Sequence, residues 1–132
     1  GIVTGGGAVL VQAHKALKDD LKSDIVDVQK GINIVLSALL RPIYHIAENA
    51  GFDGNEIVDA QKAAKEDMGF DAKRGEWVNM IEKGIIDPTK VTRNAVLNAS
   101  SIAGMFVTTE AAVVDLDDEN DTSQQHGMGG MY

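Results

Sequence analysis

The order of apolar and polar positions divides the chain into short periodic blocks. Ile2-Val3-Thr4 is a β-like stub, and Gly5-Gly6-Gly7 after it offers backbone that can approach another group closely because no Cβ intervenes. Val9, Leu10, Ala13, Ala16 and Leu17 recur at steps of three and four, predicting a helix from Ala8 to Lys18 with a polar loop to Asp24. The longest periodic segment runs from Ile25 to about Asn49. There Val28, Ile32, Val35, Leu36, Leu39, Ile43 and Ile46 form a helical face expected to be buried. Pro42 inside it predicts a kink and Gly51 a C-terminal cap. A shorter amphipathic helix is expected from Asn55 to about Glu66. Gly69 to Ala72 and Glu76 to Val78 then read as a hairpin closed by the turn Lys73-Arg74-Gly75.

Asp87-Pro88 is a helix-start signal. A carboxylate at Asp87 can accept from the first-turn amides, and proline next to it gives up no donor the turn would use. The apolar run Ile85-Ile86 is expected to be a buried segment that delivers Asp87 to this position. Val91, Ala95, Ala99, Ile102, Ala103 and Phe106 then predict one face of a long helix reaching about Val107. Ala111-Ala112-Val113-Val114 is β-prone but too short to stand alone, so it should pair with something. From Asp115 onward the chain is acidic and then rich in Ser, Gln, Gly and Met, the composition of a disordered tail.

Composition narrows the classes of function. At 132 residues and 44% hydrophobic content the chain can bury a core of single-domain size. A net charge of −8 argues against a nucleic-acid partner, since polyanion binding rests on clustered Lys and Arg. No apolar run approaches the roughly 20 residues that cross a bilayer, so a soluble protein without a membrane partner is expected. The absence of cysteine removes disulfides and thiolate metal sites. The chain opens on Gly1 rather than Met, as a fragment or a processed piece would.

The candidate chemistry is sparse. Gly5-Gly6-Gly7 before a helix can be a structural turn or a ligand loop, but it lacks both the phosphate-loop and the dinucleotide-fold spacing. Asp71 can be a plain turn residue bonding its own backbone, and Asp87 a plain cap. His14, His45 and His126 share no metal-ligand spacing, so no metal site is expected. Asp115, Asp117, Glu119 and Asp121 alternate like a calcium loop but lack the sharp-turn Gly and the closing Glu, leaving a solvated acidic run. Nothing suggests the alternating strands and helices of a Rossmann-like enzyme.

Several longer stretches are more specific. Gly75-Glu76-Trp77-Val78-Asn79-Met80-Ile81-Glu82-Lys83, followed by Gly84-Ile85-Ile86-Asp87-Pro88-Thr89-Lys90-Val91-Thr92-Arg93 and later by Ala103-Gly104 and Thr108-Thr109-Glu110, closely resembles the C-terminal part of the GroEL-type (group I) chaperonin subunit. The triple glycine, the proline-bearing helix from Leu40 to Gly51 and the ending from His126 to Met131 are similar to the same family. The likeness covers about residues 1–116, plus the composition of the tail.

The resemblance implies an all-α, multihelical fold with a small β-hairpin and a short edge strand, an incomplete equatorial-like domain. Residues 1–116 would be the C-terminal half of the ATP-binding equatorial domain and residues 117–132 a disordered acidic and Gly/Met tail. It also implies a nucleotide site at Gly6, Gly7, Asp71, Ala72, Lys73, Ile85 and Asp87. Gly6 and Gly7 would lie beside sugar and base, Asp71 would face the adenine amino group, with Ala72 and Lys73 completing that segment, Ile85 would pack near the base, and Asp87 would accept from a ribose hydroxyl. Family members often carry Asn where Asp71 stands; Asp keeps the acceptor and loses the amide donor.

ATP or ADP with Mg²⁺ would be the cofactors of the intact parent. Its phosphate loops and catalytic aspartates would lie before residue 1, so no catalytic residue is expected here. The parent would be a cytoplasmic (bacterial) or organellar homo-oligomer of rings that assists folding. A co-chaperonin and non-native chains would bind through domains outside this segment, and Ala111 to Val114 would pair with a neighbouring subunit. The alternative is a non-enzymatic helical interaction module without useful nucleotide affinity.

Overall fold

The computed structural model of the chain describes residues 1–114. Its elements in order are β1 (Ile2–Thr4), α1 (Ala8–Leu17), α2 (Val26–Ala38), α3 (Arg41–Asn49), α4 (Gly54–Ala63), β2 (Met68–Asp71), β3 (Glu76–Asn79), β4 (Ile86–Pro88) and α5 (Thr89–Thr108). The architecture is mostly helical with two small antiparallel sheets, in keeping with the expected class. The chain divides into two units, Gly1–Leu97 and Asn98–Tyr132, and α5 contributes to both.

In the first unit the core gathers where α1, α3, α4 and β2 meet. Val11, Ile43, Ala47, Ile57, Val58 and Phe70 are buried together, with Leu40, Tyr44 and Ala72 packed around them. Burying one such side chain contributes about 1.5–3 kcal/mol, so this cluster dominates the unit's stability. Phe70 also meets Phe52 edge-on at 5.0 Å and Trp77 at 5.6 Å, which fixes the hairpin against α4's entry loop. Asp53 caps α4, its Oδ1 accepting from the amides of Asn55 and Glu56 at 2.8 and 3.1 Å.

Several expectations are corrected. The helix expected from Ile25 to Asn49 is two helices, broken at Leu39-Leu40. Pro42 does not kink a continuous rod; it occupies the first turn of α3, where its missing donor is not needed. Along α2 only Leu36 of the expected face is buried, while Val28 and Val35 are exposed. α4 begins at Gly54 and ends at Ala63, because Asp53 rather than a later residue supplies the cap. The hairpin turn takes in Ala72 as well, with Asp71 opposite Glu76.

The largest correction concerns Asp87. It lies in a strand, opposite Val3, and α5 starts only at Thr89, so Asp87 does not cap the helix. Pairing with the far end of the unit outweighs the local capping preference. Ile86, expected to be buried, is exposed at the sheet's edge, and Ile85 is half-buried. None of the residues of α5 is buried. Its half-buried positions in the first unit are Thr92 and Val96, not the Val91 and Ala95 face. Ala111 to Val114 forms no strand and is exposed. The tail at 117–132, the acidic run from Asp115 to Asp121, His126 and the Gly/Met ending lie outside the described residues.

Candidate functional site

The glycine turn is built by a pairing that joins distant parts of the sequence. β1 runs antiparallel to β4, with Ile2 opposite Pro88, Val3 opposite Asp87 and Thr4 opposite Ile86. One step further the Gly5 amide donates to the Ile85 carbonyl at 2.9 Å, and the Ile85 amide donates to the Met80 carbonyl at the same distance. Gly6 and Gly7 then turn the chain into α1 with φ of +62° and +80°. A Cβ on Gly7 would stand 2.8 Å from the Ile43 amide nitrogen of α3, a separation that side chains do not tolerate. A Cβ on Gly6 would come within 3.1 Å of the Met80 methyl and 3.8 Å of the Phe70 carbonyl. The turn is therefore pressed between α3 and the hairpin.

Met80 is the plug of this junction. It is fully buried, its amide donates to the Asp67 carbonyl at 2.8 Å, and its side chain fills the space that a Cβ on Gly69 would need. Sequence reasoning placed Met80 in a motif but gave it no role. The available signal was its position between the polar Asn79 and the glycine at 84, facing two glycine-bearing segments.

Asp71 ends β2 and is only 5% exposed despite its place on a hairpin. Its Oδ1 accepts from the backbone amides of Lys73 and Arg74 at 3.0 and 3.3 Å, and its Oδ2 accepts from Arg74 Nη1 at 3.0 Å. Burial works to raise its pKa, but the Arg74 side chain and the two turn amides outweigh it, holding the carboxyl below the usual value of 3.8. Asp71 is therefore an ionised, acceptor-only group at neutral pH. Arg74 was not singled out from the sequence, although an acid followed three residues later by arginine across a turn is a readable pairing.

The remaining candidates fall into two groups. Gly6, Gly7, Ile85 and Asp87 belong to the glycine turn and the ladder behind it, and Asp87 has a carboxylate without a hydrogen bond or ion pair among the described residues. Asp71, Ala72 and Lys73 sit at the hairpin's closing end, with Ala72 half-buried against the core and Lys73 exposed. A Cβ added at Gly6 would lie 3.8 Å from the carbonyl of Phe70, the residue before Asp71, so the glycine turn passes close to that strand.

Other chemistry is located elsewhere. His14 pins α1 to α2 through Nδ1 and the Leu36 carbonyl at 3.0 Å, and His45 packs edge-on against Tyr44. Among the described residues no three His, Asp or Glu side chains gather in a group that could hold a metal. An apolar groove of about 380 Å³ runs between α1, α2 and the start of α5, lined by Leu10, Ala13, Val35, Leu39, Val96 and Leu97 among others. No helix of the described residues is long and apolar enough to cross a membrane.

The profile of the TCP-1/cpn60 chaperonin family matches residues 1–116, a span that takes in every described residue. The chain belongs to this chaperonin family. It is 57% identical over 120 residues to the chaperonin GroEL of Acholeplasma laidlawii (strain PG-8A), covering 91% of this chain and 22% of that protein. To the chaperonin GroEL of Onion yellows phytoplasma (strain OY-M) it is 52% identical over 123 residues, 93% of this chain and 23% of that one. The fold is similar to the open-state monomer of a group II chaperonin from Methanococcoides burtonii, with a TM-score of 0.73 and 25% identity over 82% of this chain and 28% of the other. The chain thus spans under a quarter of the length of the GroEL relatives named here, as a portion of a GroEL-type chaperonin does.

Proposed function

We propose that this chain supplies the adenine and ribose side of an ATP site in a ring-forming, cytoplasmic chaperonin that assists protein folding. The observation that carries the reading is the meeting of three segments around Met80: the glycine turn at Gly6, the hairpin at Gly69, two residues before Asp71, and Ile85, which leads into the strand that holds Asp87. Such a place offers close backbone approach at Gly6 and Gly7, small or apolar surface at Ala72 and Ile85, and two carboxylate acceptors. These residues fit a nucleoside. Asp71 suits an exocyclic amine and Asp87 a ribose hydroxyl, since ionised carboxylates only accept. Lys73 closes the segment at the rim. A bound Mg²⁺ would supply charge neutralisation to the phosphates. This segment provides neither its ligands nor a residue to orient water, and those groups belong to the rest of the subunit. Ring contacts, a co-chaperonin and non-native clients belong to the same proposal.

Titration of the ¹⁵N-labelled chain with ADP and ATP tests it. Shifts confined to Gly6, Gly7, Asp71, Ala72 and Asp87 are expected, with weak affinity for a half-site. Silence at all of them up to millimolar nucleotide overturns the reading. That outcome would leave a helical interaction module without nucleotide affinity, a second reading favoured by the exposure of Ile102, Met105 and Phe106 on α5.

A further inference from the structure

The loop between α3 and α4 carries an Asp-Gly pair, Asp53-Gly54, that has no part in the nucleotide reading. In a polypeptide this pair is especially open to ring closure, because no Cβ screens the nitrogen that follows the aspartate. Glycine is forced here. A Cβ on Gly54 would stand 2.5 Å from Cδ2 of Tyr44, whose ring also carries the Arg41 guanidinium 4.4 Å from its centroid. Packing α3 closely on α4 therefore brings a reactive linkage with it.

The surroundings oppose that reactivity. The Gly54 amide, which would be the nucleophile, donates to Glu48 Oε1 at 2.8 Å. The Asp53 carboxylate is occupied by the amides of Asn55 and Glu56, and a ψ of 111° at Asp53 turns the Gly54 nitrogen away from the side chain it would attack. Glu48 lies in the last turn of α3, where the helix dipole disfavours an acid, and its bond to Gly54 offsets that placement. The loop before Asp53 is itself tied down, since the Phe52 amide donates to the Ala47 carbonyl at 3.0 Å and the Phe52 ring meets Phe70.

We propose that Asp53 is a site of isoaspartate formation and that Glu48 guards it, holding the Gly54 nitrogen away from the Asp53 carboxyl while α4 is capped. In the reaction the Gly54 nitrogen bonds to Cγ of a carboxyl protonated from solvent. The Cγ–OH bond breaks, and the hydroxyl leaves with the amide proton as water. The cyclic imide then takes water back. Opening at the side-chain carbonyl restores aspartate; opening at the main-chain carbonyl leaves the backbone running through Cγ, one methylene longer, with the carboxylate on the α-carbon. That product no longer caps α4 as Asp53 does.

Ring closure proceeds from the opened loop, so the population of that state sets its rate. The test incubates the 132-residue chain at neutral pH, folded and in urea, and counts isoaspartate at position 53 by peptide mapping with electron-transfer fragmentation. The folded parent sequence should react far more slowly than the chain in urea. Glu48→Ala should speed the folded reaction roughly ten-fold, the effect of losing one hydrogen bond to a charged group, and leave the rate in urea unchanged. Glu48→Gln keeps an acceptor for Gly54 and should stay close to the parent. Met80→Ala, which weakens the fold elsewhere, should speed the reaction much less than Glu48→Ala. Equal rates for the parent and Glu48→Ala, or an equal acceleration by Met80→Ala, overturn the guarding role. A folded parent reacting as fast as the chain in urea overturns it too, and no isoaspartate at 53 even in urea overturns the site.

Discussion

The junction of α1, α3 and α4 and the long helix α5 carry the same kind of hydrophobic spacing, and the fold treats them differently. In the junction, Val11, Ile43, Ala47, Ile57 and Val58 close on one another and on Phe70, so spacing becomes a core. Along α5, Ile102, Phe106 and Val107 are 56%, 75% and 86% exposed, so comparable spacing becomes an uncovered face. Periodicity tells that a helix has an apolar side; it does not tell whether the partner of that side belongs to the same stretch of chain. The core of this segment is held by its own residues, and the apolar side of α5 is not. That division fits a chain spanning less than a quarter of its GroEL relatives' length.

Mutations can break or sharpen the contrast. Met80→Ala empties the one side chain that fills the space beside both Gly6 and Gly69, and it should lose about 2–5 kcal/mol of unfolding free energy in urea titrations. Gly7→Ala combines a left-handed φ of +80° with an approach of 2.8 Å to α3, and about 1–3 kcal/mol is expected from the same measurement. Phe106→Ser on α5 should change stability by no more than about 0.5 kcal/mol and reduce association seen by sedimentation. A loss at Phe106 as large as that at Met80 would erase the distinction between the two regions.

The acid limb of stability offers a smaller test, restricted to the hairpin. Because the folded pKa of Asp71 is depressed, its contribution is complete above the ordinary value of 3.8 and disappears as pH falls through the folded value. The stability gap between the parent sequence and Asp71→Asn should therefore be constant near neutrality and narrow only below that value. A gap that narrows in the neutral range would contradict an ionised Asp71.

Local signals were legible and distant pairings were not. The starts of α1 and of the hairpin followed from Gly5-Gly6-Gly7 and from the break at Gly75, where turn chemistry decides. Asp53, followed by Glu56 three residues later, offered an equally local cap signal for α4, which the expected start at Asn55 passed over. By contrast, the split between α2 and α3 was hidden because Pro42 suits a first turn as well as it suits a kink, and spacing alone runs through both helices. Asp87 reads as a cap from its neighbours, and only pairing with Val3 makes it a strand residue. The candidate site residues were named from resemblance to the family. Met80 as the plug and Arg74 as the partner of Asp71 required the spatial arrangement.

The β1–β4 ladder also bears on the order of folding. Ile2 pairs with Pro88, and the Gly1 carbonyl accepts from the Thr89 amide at 3.1 Å, so nearly the entire first unit forms one closed loop. Closing so long a loop carries an entropic penalty that helices and the hairpin escape, and contacts between remote residues slow the search. The helices and hairpin should therefore assemble first and the ladder last, which makes the glycine turn the final part of this unit to take shape.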